Sequence, residues 1–189
     1  MPDRGQHMPT VPSRRLVVDA SILRAVSDGR HPTPSACRAA LMAVRDHAHR
    51  VCDTPAIRDE WNRHQSAFAR KWRGAMHARG WIVQVTPADT AALEKRVATH
   101  RAATAGSQSA VAKDLHLIAA ALAADRIVLS ADGALLAAIR PLKLDPLRGL
   151  VWANPVIARD QVLGFLGAAT PAPGEWLLHQ RPGDAPRKL

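Results

Sequence analysis

The sequence predicts an α/β domain built on a parallel β-sheet. Five short apolar runs alternate with longer amphipathic stretches, which is the pattern of buried parallel strands joined by helices. The chain has 189 residues, of which 47% are hydrophobic and 22% are charged. These values are ordinary for a folded protein and allow one domain with a substantial core. We expect this domain to cover residues 15–169.

The N-terminal half of the chain supplies three of the strands. Residues 1–14 contain charges and prolines without an apolar run, so we expect a flexible arm there. The stretches "RRLVVD" (14–19), "VCDTP" (51–55) and "WIVQV" (81–85) predict strands, and a helix is expected from about Ser21. Further helices are predicted over 36–50 with Ser35 as the cap, over 56–80 as one long helix or two abutting ones stopped by Gly80, and over 90–103 after Asp89.

The C-terminal half of the chain supplies the other two strands. The stretch "TAGSQSA" (104–110) predicts a polar connection, and "VAKDLHLIAAALAAD" after it predicts a helix with one apolar face. "RIVLS" (126–130) and "GLVWA" (149–153) predict strands, each followed by a helix, the last of which has Pro155 near its first turn. Residues 170–189 hold four of the fourteen prolines and predict a tail that is disordered or lies over the surface.

Cysteine and histidine usage argues against disulfides and zinc. Cys37 and Cys52 are the two cysteines, and we expect them to be reduced thiols in the core. The closest histidine pair, His47 and His49, lacks a third ligand nearby. The N-terminus has no apolar signal segment, and no apolar run approaches the roughly 20 residues of a membrane span. We therefore expect a cytoplasmic protein with no membrane association.

The net charge of +10 and the pI near 11.1 favour a polyanionic partner such as a nucleic acid. A basic protein whose arginines are merely solvated is the alternative. The segment 58–79 combines both features of a nucleic-acid surface, since basic residues could follow a phosphate backbone and exposed indoles could stack on bases. Its members and close neighbours are Arg58, Arg63, Arg70, Lys71, Arg73 and Arg79 with Trp61, Trp72 and Trp81. Tryptophans at this spacing are more commonly core residues.

Four acidic residues lie at the ends of predicted elements. Asp19 follows the first strand, Asp132 follows the fourth, Glu60 lies in the helix after the second, and Asp114 is expected near the first turn of its helix. Each alone could be a helix cap, a dipole partner or a solvated residue. In parallel sheets, however, functional groups collect outside the carboxyl ends of the strands, so we expect these four to meet.

Converging carboxylates need a compensating charge. Two of them about 4 Å apart repel by about 4 kcal/mol at an effective dielectric constant near 20. A divalent cation removes this repulsion, and oxygen ligands without histidine or thiolate favour Mg²⁺ or Mn²⁺ over zinc. A metal-centred acid cluster in a basic protein indicates phosphodiester hydrolysis.

At these residues the chain resembles the PIN-domain family and is similar to its VapC-type toxin ribonucleases. The resemblance lies in "VVDAS" with Asp19, "PAIRDEW" with Glu60, "KDLHLIAAAL" with Asp114 and "VLSAD" with Asp132, and the closing "VWANP" resembles the last strand of the family. It spans roughly residues 15–165.

The resemblance implies a three-layer α/β/α fold around a five-stranded parallel sheet, and Mg²⁺- or Mn²⁺-dependent cleavage of RNA. Asp19, Asp114 and Asp132 would be metal ligands, and Glu60 would bind the metal or orient the attacking water. The resemblance further implies an antitoxin partner and a homodimer. Its secondary site candidates are Ser21, Ser130 and Asn154.

Two other functions stay open at this point. A PIN-like fold could bind nucleic acid or a partner without turnover, and the same acids could serve a phosphatase or a DNA nuclease. Metal-induced stabilisation and the substrate preference distinguish these from a ribonuclease.

Overall fold

The computed structural model describes residues 12–26, 31–101, 103–168 and 170–179. These residues form an α/β fold whose sheet has five parallel strands in the order β3-β2-β1-β4-β5. Helices flank the sheet in a three-layer α/β/α arrangement, so the predicted fold class is confirmed. The strands are β1 (Arg15–Val18), β2 (Arg50–Asp53), β3 (Ile82–Gln84), β4 (Ile127–Leu129) and β5 (Val151–Ala153).

The helices connect successive strands, as parallel pairing requires. They are α1 (Ala20–Ala25), α2 (Pro32–Asp46), α3 (Pro55–His64), α4 (Ala67–Ala78), α5 (Ala91–Thr99), α6 (Ala105–Leu122), α7 (Ala134–Ile139) and α8 (Arg159–Gly167). Short 3₁₀ segments occur at Arg140–Leu142, Asp145–Leu147 and Gly174–Trp176. No helix within the described ranges is long and apolar enough to cross a membrane.

The central strand β1 explains why the strand sequences are continuously apolar. Leu16, Val17 and Val18 are all fully buried, since helices cover both faces of the sheet. Val18 pairs with Leu129 of β4, while Leu16 pairs with Val51 of β2. The carboxyl ends of β1, β2 and β4 therefore lie side by side at one edge of the sheet.

Local sequence signals begin and end several helices. The hydroxyl of Thr54 accepts a hydrogen bond from the amide of Ile57, and Ser66 does the same for Ala69, so each caps a helix. Gly80 has φ +64°, which suits a residue without a side chain and ends the segment after α4. The predicted helix over 56–80 is therefore two helices, α3 and α4.

Three predicted helix starts are wrong. Helix α2 begins at Pro32 after His31, so Ser35 lies inside the helix instead of capping it. Helix α8 begins at Arg159 and not near Pro155, because Asn154 Oδ1 accepts a hydrogen bond from the amide of Val156 and holds a turn.

The third error concerns α6, which begins at Ala105, so residues 105–110 of the predicted polar connection are helical. The small residues there contain no proline, and the helix packs against α5, so tertiary contacts override weak local propensity. Asp114 is consequently the tenth residue of its helix. The expected stabilisation by the helix dipole at a first turn does not apply to it.

The described residues at both ends pack against the domain. The Arg14 guanidinium group lies 3.9 Å from the centre of the Phe165 ring and donates to the carbonyl oxygens of Ala168 and Thr170. Trp176 is buried and meets Phe165 edge-on, with ring centres 5.7 Å apart. Residues 1–11 of the expected arm and 180–189 of the expected tail lie outside the described residues.

Candidate active site

A pocket of about 130 Å³ opens at the carboxyl edge of the sheet, beside the ends of β1 and β4. All four predicted acids line it, although up to 113 positions of sequence separate them. Three basic residues that were not singled out from the sequence share the pocket. The lining residues are Asp19, Ala20, Ser21, Arg24, Glu60, His64, Lys113, Asp114 and Asp132.

Asp19 is held at the end of β1 by hydroxyl and amide groups. Its amide donates to Leu129 O at 2.9 Å and continues the strand pairing. One carboxylate oxygen accepts from the Ser21 amide at 3.1 Å, which caps α1. The other accepts from the hydroxyls of Ser21 and Ser130, each at 2.5 Å. The secondary candidates Ser21 and Ser130 therefore orient this carboxylate, and helix capping is a real part of its role.

Asp132 combines a capping role with an ion pair. Its Oδ1 accepts from the amide of Ala134 at the start of α7, and its Oδ2 lies 3.4 Å from Lys113 Nζ. Asn154 is not among the residues lining the pocket; its side-chain amide donates to Ala131 O at 3.1 Å. Asn154 thus supports the loop that carries Asp132 instead of facing the pocket.

Glu60 reaches the pocket from α3, while its neighbour Asp59 is exposed and does not line it. Glu60 Oε2 lies 2.9 Å from His116 Nε2, and both side chains are about a quarter exposed. His116 was missed from the sequence, because a histidine that follows Asp114 by two positions carries no signal for a contact with a helix 56 residues away. The contact with His116 fixes the position of one carboxylate oxygen of Glu60.

Asp114 sits in the middle of α6 and is 7% exposed. Burial raises the pKa of its carboxyl group to about 6. The Lys113 ammonium group opposes this increase, whereas the nearby carboxylates of Asp19 and Asp132 add to it. The electrostatic coupling of these three aspartates agrees with their common location at the pocket.

The basic residues of the pocket differ in their contacts with the acids. Lys113 lies next to Asp114 in sequence, and the Asp114 carboxylate is the main cause that raises the pKa of the Lys113 ammonium group. Arg24 and His64 line the same pocket from α1 and α3. Basic residues beside the acids suit the binding of a phosphate group at this pocket.

The donor set of the pocket fits an oxygen-liganded divalent cation such as Mg²⁺ or Mn²⁺, since its acids supply only carboxylate oxygens. Nevertheless, within the described ranges no three His, Cys, Asp or Glu side chains are arranged to hold a metal ion. Three of the acids have partners within the chain: Asp19 accepts from serine hydroxyls, Asp132 contacts Lys113, and Glu60 contacts His116.

The segment 58–79 does not present two of its tryptophans for stacking. Trp61 and Trp72 are buried, and their indole N–H groups donate to Val18 O and Leu41 O at 2.8 Å. They are core residues, as the alternative interpretation held. Arg73 lies over the Trp61 ring, 5.3 Å from its centre, so part of the basic surface covers the core.

A fifth acid at the same edge was missed from the sequence. Asp53 ends β2 and is 1% exposed. Its Oδ2 accepts from the Arg58 guanidinium group at 2.9 and 2.7 Å and from the side-chain amide of Gln84. It does not line the acid pocket. Its place at the end of an apolar strand could have identified it from the sequence. The sequence does not show that Arg58 and Gln84 are its partners.

Comparisons of the chain with models of known protein families, with curated proteins and with solved structures give no match. The function must therefore be argued from the pocket itself.

Proposed function

We propose that this protein is a Mg²⁺- or Mn²⁺-dependent endoribonuclease of the PIN-domain type. The observation that carries the proposal is the common pocket of Asp19, Glu60, Asp114 and Asp132. A fold gains nothing in stability by gathering four carboxylates around one cavity, and a group held in this way is a functional-site candidate. The net charge of +10 on the whole chain supports a polyanionic substrate.

Each side chain has a distinct role in this mechanism. Asp19, Asp114 and Asp132 would hold the cation, which when bound activates water and neutralises charge on the phosphate. Ser21 and Ser130 fix the orientation of the Asp19 carboxylate. Glu60 is left with one carboxylate oxygen to orient the attacking water, because His116 engages the other.

The biological context of this activity rests on the sequence resemblance. A toxin role, an antitoxin partner, a homodimer and a cytoplasmic location are parts of the same proposal. The absence of a membrane-spanning helix among the described residues is compatible with all four.

A non-catalytic PIN-like binding module is the second candidate. It is favoured by the fact that three of the four pocket acids already have polar partners within the chain. In such a module the pocket would bind no divalent cation, and the basic surface alone would engage RNA or a protein partner. Cleavage and metal binding separate the two candidates.

The test is cleavage of a fluorescently labelled RNA by the purified chain with Mn²⁺ or Mg²⁺. We expect Asp19→Asn to lose more than about 100-fold in rate, since loss of a ligand exceeds the 10–100-fold typical of its supporting groups. Asp46→Asn is the matched control, because Asp46 is an exposed acid on α2 that pairs with Arg45. Equal rates for Asp19→Asn and the wild type, or full activity in EDTA, would refute the proposal.

A further inference from the structure

Lys113 occupies an unusual position for an exposed lysine. Its side chain is 67% exposed, yet its ammonium group points into the acid pocket and lies 3.4 Å from Asp132 Oδ2. Among the described residues, this is the one ion pair that reaches the three pocket aspartates. The chain therefore places the Lys113 ammonium group against one of the carboxylates that would hold the proposed divalent cation.

The geometry of this ion pair makes it easy to exchange. An exposed pair of this kind contributes about 0–1 kcal/mol, and lysine is a flexible point charge with rotatable donors. The Asp53 carboxylate at the neighbouring strand end is different, because a guanidinium group holds it with two bonds of 2.9 and 2.7 Å. That pair is fixed, whereas the pair of Lys113 is held by one long contact.

A divalent cation would change the position of Lys113. It would neutralise the carboxylates that attract the ammonium group and would repel that group directly. The Lys113 side chain extends from α6 and is largely exposed, so it can rotate toward solvent at the mouth of the pocket. A phosphate of an approaching nucleic acid is the anion that would meet it there.

We propose that Lys113 is the resident counter-ion of the pocket, that the divalent cation displaces it, and that the displaced ammonium group then binds a phosphate of the RNA substrate. This inference rests on the proposed function and adds an order of events to it. Metal binding comes first and competes with Lys113. Substrate binding follows and uses Lys113. The same residue therefore weakens the binding of the metal and strengthens the binding of the substrate.

The first experiment measures Mn²⁺ affinity by isothermal titration calorimetry on the full chain. We expect Lys113→Met to bind Mn²⁺ about twofold to fivefold more tightly than the wild type. This change in affinity corresponds to the free energy that an exposed ion pair contributes. Lys95→Met is the matched control, because Lys95 is exposed on α5, does not line the pocket and carries the same charge. Its affinity should equal that of the wild type.

The second experiment measures RNA cleavage at saturating Mn²⁺. We expect Lys113→Met to raise KM about fivefold with kcat within about twofold, since a contact to a non-reacting phosphate contributes to binding and not to the chemical step. Lys113→Gln should behave in the same way and replaces the methionine variant if that variant does not fold. Folding of each variant is checked by thermal unfolding in EDTA.

The outcomes separate the two proposals. If the wild type binds no Mn²⁺ and cleaves no RNA, the proposed function fails and this inference fails with it. If the wild type does both but the Lys113 variants match Lys95→Met in Mn²⁺ affinity or in KM, the inference is overturned and the ribonuclease proposal stands. Weaker Mn²⁺ binding by the Lys113 variants also overturns it.

Discussion

Asp19 and Asp53 end neighbouring parallel strands, and both carboxylates are nearly inaccessible to solvent, yet their surroundings are opposite. Asp53 is compensated within the chain by the Arg58 guanidinium group and by Gln84. Asp19 receives hydrogen bonds from Ser21 and Ser130, which carry no charge. Two neighbouring strand ends, Asp53 as the last residue of β2 and Asp19 just after β1, thus carry one acid paired with a cation of the chain and one held by neutral donors.

The comparison shows that a functional carboxylate is recognised by the lack of a cation of the chain beside it. A buried carboxylate that has its own cation is neutralised within the chain, and removing one partner of such a pair is destabilising. A carboxylate held by neutral donors, beside two further aspartates and a glutamate, is oriented but not neutralised. Of two matched substitutions, the one at Asp53 should therefore mainly reduce stability, and the one at Asp19 should mainly reduce activity.

The largest predicted effect on stability is at Asp53. Asp53→Asn should lower the free energy of unfolding by about 2 kcal/mol, because charge-assisted hydrogen bonds to the half-exposed Arg58 are lost. Asp19→Asn should cost less than about 0.5 kcal/mol, because asparagine also caps helices. Urea denaturation of metal-free protein measures both. A larger loss for Asp19→Asn than for Asp53→Asn would break the comparison.

The next effect concerns the pair of His116 and Glu60. His116→Leu should reduce kcat about tenfold, because Glu60 loses the group that fixes one of its oxygens. His116→Gln should restore most of the rate, since its amide can donate to the same oxygen. The unfolding free energies of both variants should stay within about 1 kcal/mol of the wild type. An equal rate for the leucine and glutamine variants would show that His116 does not position Glu60.

The smallest effect is the dependence of stability on pH through Asp114. The folded state raises the pKa of this carboxyl group to about 6 from its ordinary value of 3.8, so the folded protein binds a proton more tightly than the unfolded chain. Stability from this group is therefore present below pH 4 and is lost as pH rises through 6. Asp114→Asn should remove this loss and stabilise the metal-free protein at pH 7 by about 1 kcal/mol, after allowance for solvent screening at the pocket.

The measurement is chemical denaturation in EDTA at several pH values between 4 and 7. The difference in unfolding free energy between the wild type and Asp114→Asn should grow over this interval. A constant difference would mean that Asp114 ionises in the folded protein as it does in the unfolded chain.

The sequence was sufficient where the physics is local and periodic. Continuous apolar runs such as Leu16–Val18 predict buried parallel strands, and strand ends place Asp19 and Asp132 at one edge. It failed at the start of α6, because residues 105–110 have the composition of a loop and become helical through packing against α5. It could not identify Lys113 or His116, since their distances to Asp132 and Glu60 depend on how separate helices pack.

The central claim is that the acids of this pocket share a divalent cation, and Mn²⁺ titration followed by thermal unfolding tests it most directly. We predict that millimolar Mn²⁺ raises the Tm of the wild type and of Asp53→Asn by several degrees, since a ligand at about 100 times its Kd adds about 2.7 kcal/mol. The Tm of Asp19→Asn and Asp114→Asn should rise much less. An unchanged wild-type Tm, or an equal rise in all four proteins, would contradict the account.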